Sequence, residues 1–493
     1  MKTFLLIGVL ILLKSNVCLA QAGALDSSFG NNGKMTISYY GVTGRSVAIQ
    51  KDGKIVVCGD ANTGGFLLMR LNSNGSVDSG FGVNGVVETY FDSAIVNAVG
   101  VAVQKDGKII VAGSIQKWNG YYNVFGFALA RYKKDGSLDR SFGYKGKVVT
   151  VPGYDDYILA ASVSLQADGK ILVLGSNTSE YWSSIVIHRY NTNGTTDAGF
   201  HASGNYFSIY DLLNSIALQS DQKIIGTGYT SRAARFYFLL TRLNTDGSLD
   251  PSFANNGKNS KGSQTGIAVA TLNDDKIIVL TDNSSLKQFS KDGIADTLFG
   301  NKGKVSVPFK AKAIAVQSNN KIIVVGTKDN NFAVARYKSS GKSDKAFGTN
   351  GIAIADFGGD DKAHCTAIQH DGKIVTAGAS DNKLAAARFN GNAKTAFIIS
   401  DNVINNAGNA SKEFLSIQVF PNPMESVLNI QFNNNNITNK TINIYNVTGK
   451  LLLTKSAQGN TQLDVKQLSA GTYLIKINDE TGKELFSGKV IKQ

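Results

Sequence analysis

The residues that could do chemistry are scattered along this chain. Four histidines, His188, His201, His364 and His370, fall at no zinc-ligand spacing. No Gly-x-Ser-x-Gly segment is present to mount a nucleophilic serine, and no glycine-rich loop opens a helix to cradle phosphate. Carboxylates are plentiful but stand mostly in turn sequences. Two of them meeting across one face could cleave a glycosidic bond, which keeps a secreted polysaccharide hydrolase or lyase as an alternative. Stretches such as Asn244-Thr245-Asp246-Gly247-Ser248-Leu249-Asp250 resemble calcium loops, but they lack the acidic density and the closing glutamate. A calcium-dependent adhesin is therefore a further alternative. No catalytic residue, metal ligand or cofactor-binding residue is assigned, and no cofactor is expected.

Residues suited to binding are better represented. Ser114 to Gly126, which reads as a long loop between two strands, is rich in rings, with Trp118, Tyr121, Tyr122 and Phe125. Tyr154, Asp155, Asp156 and Tyr157 follow, then Tyr181-Trp182, then Tyr229 with Arg232 and Arg235. Both tryptophans of the chain lie in this region. Flat apolar rings with polar tips suit stacking on sugars or gripping a protein surface. The plainer reading is that these rings cover strand edges.

The elements that position these residues come from repetition. The phrase Ala48-Ile49-Gln50-Lys51-Asp52-Gly53-Lys54-Ile55 returns six times, and the Lys-Ile pair persists from Lys54-Ile55 to Lys373-Ile374. Gln stands four residues before that Lys in every copy except the fifth, which has Leu272. A second phrase carries Arg (70, 131, 189, 242, 336, 388), Asp (26, 78, 139, 197, 250, 296, 344) and Phe (29, 81, 142, 200, 253, 299, 347). The period is about 53 residues, and Phe397 stands in frame as an eighth copy. Each repeat reads as four short strands, with Asp-Gly turns that favour tight hairpins. In the second repeat these are 101–104, 108–112, 127–132 and 147–151. No apolar period of 3.6 residues argues for helix.

Seven such units predict an all-β fold, a seven-bladed β-propeller. The half-copy Leu25–Tyr40 supplies a fourth strand with no preceding three, so Met35–Tyr40 is expected to complete the last blade. A motif present once per blade marks a blade-building contact. The Arg side chains should therefore meet turn Asp or backbone carbonyls and hold blade to blade, with Gln288 making a weaker contact in blade five.

Composition agrees. The chain has 493 residues, 52 Gly, 5 Pro and 18% charged residues, which excludes disordered, collagen-like and coiled-coil chains. The net charge of +14 is spread without a run of Lys or Arg, so no nucleic-acid partner is expected. Residues 1–20 read as a signal peptide, with Lys2 ahead of a short apolar run. No later segment reaches the roughly 18 apolar residues of a membrane span. A mature monomer without a transmembrane helix is expected. Beyond the leader only Cys58 and Cys365 remain, and two buried free thiols are the expectation.

Composition shifts after Phe397. Residues 400–410 are rich in Asn, Ala and Gly and read as a linker. Residues 411–493 alternate as short strands of a small immunoglobulin-like β-sandwich. This tail resembles the type A C-terminal sorting domain of type IX secretion cargo. The resemblance rests on Phe420-Pro421-Asn422-Pro423, on Ile444 to Lys450 with Gly449, and on Leu468 to Leu474 with Gly471 and Tyr473. It implies recognition by the type IX secretion machinery, and a passenger that is secreted or held at the cell surface. Residues 21–399 form the propeller region. There Leu25–Gly33 and Asp52–Ile55 resemble delta-60 repeats, a family that brings no activity with it. Blade five departs from the pattern, with Asp274-Asp275 for Asp-Gly and Thr281 for a glycine. The expectation is an exported, non-catalytic propeller that binds a glycan or protein ligand or serves as a scaffold.

Overall fold

The computed structural model describes residues 21–37, 43–61, 63–151, 157–178, 183–200, 211–232, 235–391 and 417–492, except 421–423, 425, 433–438, 447 and 483 within the last range. The expected signal peptide and linker lie outside the described residues. Every regular element among the described residues is a strand.

Seven antiparallel sheets follow one another from Lys34 to Phe389. Blade two is representative, with strands Ile95–Val103, Ile109–Trp118, Asn123–Tyr132 and Lys147–Thr150. Its innermost strand neighbours those of blades one and three. The same relation runs around to blade seven, whose inner strand Asp361–Ile368 lies beside Ser46–Ile49 of blade one. Blade three shows three strands among the described residues. Closure follows the expectation. Lys34–Ile37 pairs antiparallel with Lys383–Phe389, with Met35 opposite Ala386, so both ends of the region build one blade. Residues 38–40 of the expected closing strand lie outside the described residues.

The second and third strands of every blade are almost wholly buried, because each face packs on the neighbouring blade. This explains their near-continuous apolar runs, where a half-exposed strand would alternate. Cys58 and Cys365 are free and buried. Cys58 packs in the core shared with blade two, whereas Cys365 packs in the core between blades seven and one. Burial pushes both thiols up, Cys365 to about 12, so neither is a nucleophile at neutral pH.

One expectation needs correction. Ser114 to Gly126 was expected to be a long loop. It is a hairpin arm instead: strands two and three of blade two continue to Trp118 and resume at Asn123. Only a four-residue turn separates them, closed by Asn119, whose side chain accepts the Tyr121 and Tyr122 N–H groups at 3.0 Å. Aromatic and β-branched residues along the arm favour paired strand over coil.

The tail forms two sheets. Ile417–Phe420, Val427–Phe432 and Thr461–Asp464 make one, and Leu451–Ala457, Lys440–Asn446, Gly471–Asn478 and Glu484–Lys492 make the other. Met424, Ile430, Ile442, Ile444, Ile475 and Ile477 fill the space between them, as in a sandwich.

Candidate functional site

Two faces of the ring carry distinct chemistry. On the face of the Asp-Gly turns, each repeated Arg lies buried in a fixed socket. In blade one, Arg70 Nε contacts Asp78 at 2.7 Å, and Lys54 reaches the same carboxylate oxygen at 2.7 Å. The guanidinium rests over the Phe81 ring, 4.3 Å from its centroid. Another of its nitrogens donates to the backbone carbonyl of Lys134 in blade two. The same set recurs in blades two, three, four, six and seven. In blade seven, Arg388 and Lys373 meet Asp26 from the other end of the region, at 2.8 and 3.0 Å. The repeated Arg therefore joins blades, as expected: its Asp holds it within its own blade, and its donation to the carbonyl of the next blade is the link.

Gln was the unassigned member of the repeat. Gln219 donates to the carbonyls of Asp275 and Lys291 in blade five, at 3.1 and 2.9 Å, and accepts from Arg242. Gln317 and Gln369 reach Gly372 and Gly53 in the same way. Blade five lacks both Gln and Arg. Gln288 keeps one hydrogen bond to the next blade, to Ser339 O at 3.0 Å. At this turn Gln222, Asp275 and Asn320 replace glycine at positive φ. Each offsets the strain by accepting a backbone N–H of the preceding blade, from Ala167, Ser220 and Asn273. The calcium-like stretch at 244–250 is held by contacts within the chain. Asp246 accepts the Ser248 N–H, and Asp250 is held by Arg242 and Lys223. Among the described residues no three His, Cys, Asp or Glu side chains come together to hold a metal.

This network makes stability acid-sensitive. Burial alone would raise the Asp26 pKa, but bonds from Ser28 and Lys373 and the charge of Arg388 outweigh it and bring the group down to about 2. Asp78, Asp139, Asp197, Asp250 and Asp344 are lowered by equivalent partners. Folded values below the unfolded value give stability that is full above about pH 4 and lost as pH falls toward 2. His188 is buried against Phe127 and Tyr190, and burial lowers its pKa; burial, with nearby cations, does the same for His364. Their contribution declines as pH drops below about 6.5. Melting temperature measured from pH 7.5 to 2.5 should therefore show a shallow slope below 6.5 and a steep fall below 4.

The opposite face carries the blade-two arm, and here the rings are exposed. Trp118 is 57% and Tyr121 86% exposed, and Tyr122 is also solvent-facing. Phe125, on the same arm, packs at a tilt against the Tyr157 ring of blade three, with centroids 4.1 Å apart. The structure thus brings Trp118, Tyr121, Tyr122 and Tyr157 to one side of the ring. Tyr154, Tyr181 and Trp182 lie outside the described residues. Tyr229 sits half-buried on the corresponding hairpin of blade four, its ring 4.9 Å from Phe236. Sequence reading missed Phe236, 56% exposed, because it falls one residue beyond the Arg that marked the turn. In the tail, Tyr473 is buried and its hydroxyl donates to Ser469 O at 2.6 Å. Gly449 takes a positive φ in a turn capped by Asn446. Phe420 ends a strand, and Pro421, Asn422 and Pro423 lie outside the described residues.

Five segments, residues 50–81, 104–142, 166–200, 219–253 and 317–347, match the family model described as a domain of unknown function (DUF5122) beta-propeller. Each begins on the repeated Gln and ends on the Phe beneath the guanidinium. Residues 418–493 match the secretion system C-terminal sorting domain. This chain carries DUF5122 propeller repeats and a type IX sorting tail. The two blades without a match are those that break the unit: blade five lacks its Gln and Arg, and blade seven is split by ring closure. No curated protein matches the sequence. Among solved structures the chain is similar to PorZ, a surface component of the type-IX secretion system of Porphyromonas gingivalis, with 13% identity, 90% of this chain and 58% of that one covered, and a TM-score of 0.37. It is also similar to Chaetomium thermophilum Raptor (11% identity, 73% and 29% covered, TM-score 0.45) and to a puromycin hydrolase (13%, 84% and 61%, TM-score 0.44). The chain spans less than two thirds of each.

Proposed function

We propose that this protein is a non-catalytic binding module of the cell surface or the secreted fraction, whose ligand, a glycan or a protein, is gripped by the aromatic arm of blade two. In this reading residues 1–20 act as a signal peptide, and the tail then passes the chain to the type IX machinery. The sorting tail supports delivery to the exterior. Among the described residues no helix is long and apolar enough to cross a membrane. The observation carrying the binding role is the exposure of Trp118, on the last ladder pair of the hairpin, and of Tyr121 in its turn. Large rings left in water cost solvation that a ligand would recover.

The test is a glycan array and a surface-protein pull-down with the full-length secreted protein, followed by Trp118→Ala and Tyr121→Ala. Each substitution should weaken binding to the captured ligand about tenfold with the melting temperature unchanged, since neither ring is buried. Wild-type affinity in both variants would remove the arm from the site.

A further inference from the structure

The inner strands share an irregularity that the sequence motif does not announce. In six blades the pairing slips past one residue: Val99, Ala161, Asn214, Ile267, Lys312 and His364. All six stand nine residues before the Lys of the Lys-Ile pair, and Arg45 holds that position in blade one. A β-bulge bends its strand and re-aims the extra side chain. The inner strands border the central channel, so these seven residues make a ring near its mouth, on the side of the aromatic arm.

The ring is asymmetric. Blades two to five supply Val, Ala, Asn and Ile, whereas the adjoining blades six, seven and one supply Lys312, His364 and Arg45. Two residues earlier, blades six and seven add exposed Lys310 and Lys362. Some of this charge is answered, because Asp60 holds Arg45 at 2.7 Å and Asp360 holds Lys362 at 2.5 Å. Lys310 and Lys312 have no carboxylate partner among the described residues. Arg45, Lys312 and Lys362 all lie near enough to His364 to disfavour its protonation, alongside the larger effect of burial. Like charges gathered at one level of adjacent strands repel one another unless an anion sits among them.

We propose that this arc, centred on Lys312, His364 and Arg45, binds an oxyanion: the carboxylate, sulfate or phosphate group of an acidic ligand seated at the channel mouth. The site is independent of the aromatic arm and would stand if the arm proved inert.

The experiment is titration of the full-length protein with sodium sulfate, phosphate or glucuronate against sodium chloride at matched ionic strength, read by calorimetry and thermal shift. Saturable binding should be seen with at least one oxyanion, and the tightest identifies the group. Lys312→Gln combined with Arg45→Gln should weaken that binding at least tenfold. Lys105→Gln, on the opposite face, should leave it unchanged, and Lys312→Arg should retain it. These side chains are exposed and their contacts with Asp60 and the Ala167 carbonyl lie at the surface, so melting without anion should stay within about 2 °C of wild type. Oxyanions behaving as chloride does, the Gln pair binding like wild type, or Lys105→Gln weakening binding equally would each overturn the proposal.

Discussion

Replacing Arg388 with Ala should cost about 3–5 kcal/mol and lower the melting temperature by roughly 10 °C. The side chain is buried, touches Asp26 at 2.8 Å, rests 4.8 Å over the Phe29 ring and donates to the Ser73 carbonyl of blade one. Its removal leaves a buried carboxylate with only Lys373 and Ser28, and it frees the N-terminal segment that closes the ring. The loss should therefore have a local signature as well. Backbone amides of Lys34–Ile37 should exchange faster, and limited proteolysis should cut first near residue 30. Gln288→Ala, at the equivalent position of blade five, breaks one hydrogen bond and should cost about 1 kcal/mol. Equal losses in the two variants would show that the buried Arg and its ion pair add nothing to the blade junction beyond one hydrogen bond.

Gly228→Ala should destabilise by about 3 kcal/mol although it adds only a methyl group. A Cβ there would stand 1.9 Å from the Leu212 carbonyl oxygen, and backbone cannot yield as a flexible side chain can. The close approach belongs to the bulge, since Gly113, Gly326 and Gly378 face the carbonyls of Asn97, Lys310 and Lys362 in the same way. Blade five solves the crowding in reverse. Thr281 replaces the glycine, and its partner across the ladder becomes Gly266. Thr281→Ala should therefore cost about 1 kcal/mol, the worth of its hydrogen bond to Ser285 O. Urea midpoints of the two variants decide the matter, and a Gly228→Ala midpoint equal to wild type would mean that the bulge relaxes freely.

Much of this protein is legible in its sequence. The Lys-Ile pair and the Asp and Phe positions recur in all seven repeats, the Arg in six and the Asp-Gly of the first turn in four, and such repetition turns weak local propensity into a clear architecture. The half-copy at Leu25–Tyr40 foretold the closing strand, because a strand without its sheet must find one elsewhere. The tail was legible through its motifs. What chemistry the faces carry was not. Gln219 and Arg242 act on carbonyls of the next blade, and Lys312, His364 and Arg45 become neighbours only because the ring places residues of different blades side by side. The arm of blade two looked like a loop because its pairing depends on two strands continuing in register past Ile115 and Gly126. Sequence determined the repeat, the closure and the route of export, since these follow from patterns within one blade or one tail. Tertiary structure alone decided which side chains face each other between blades, because that depends on curvature and bulges that no single repeat encodes.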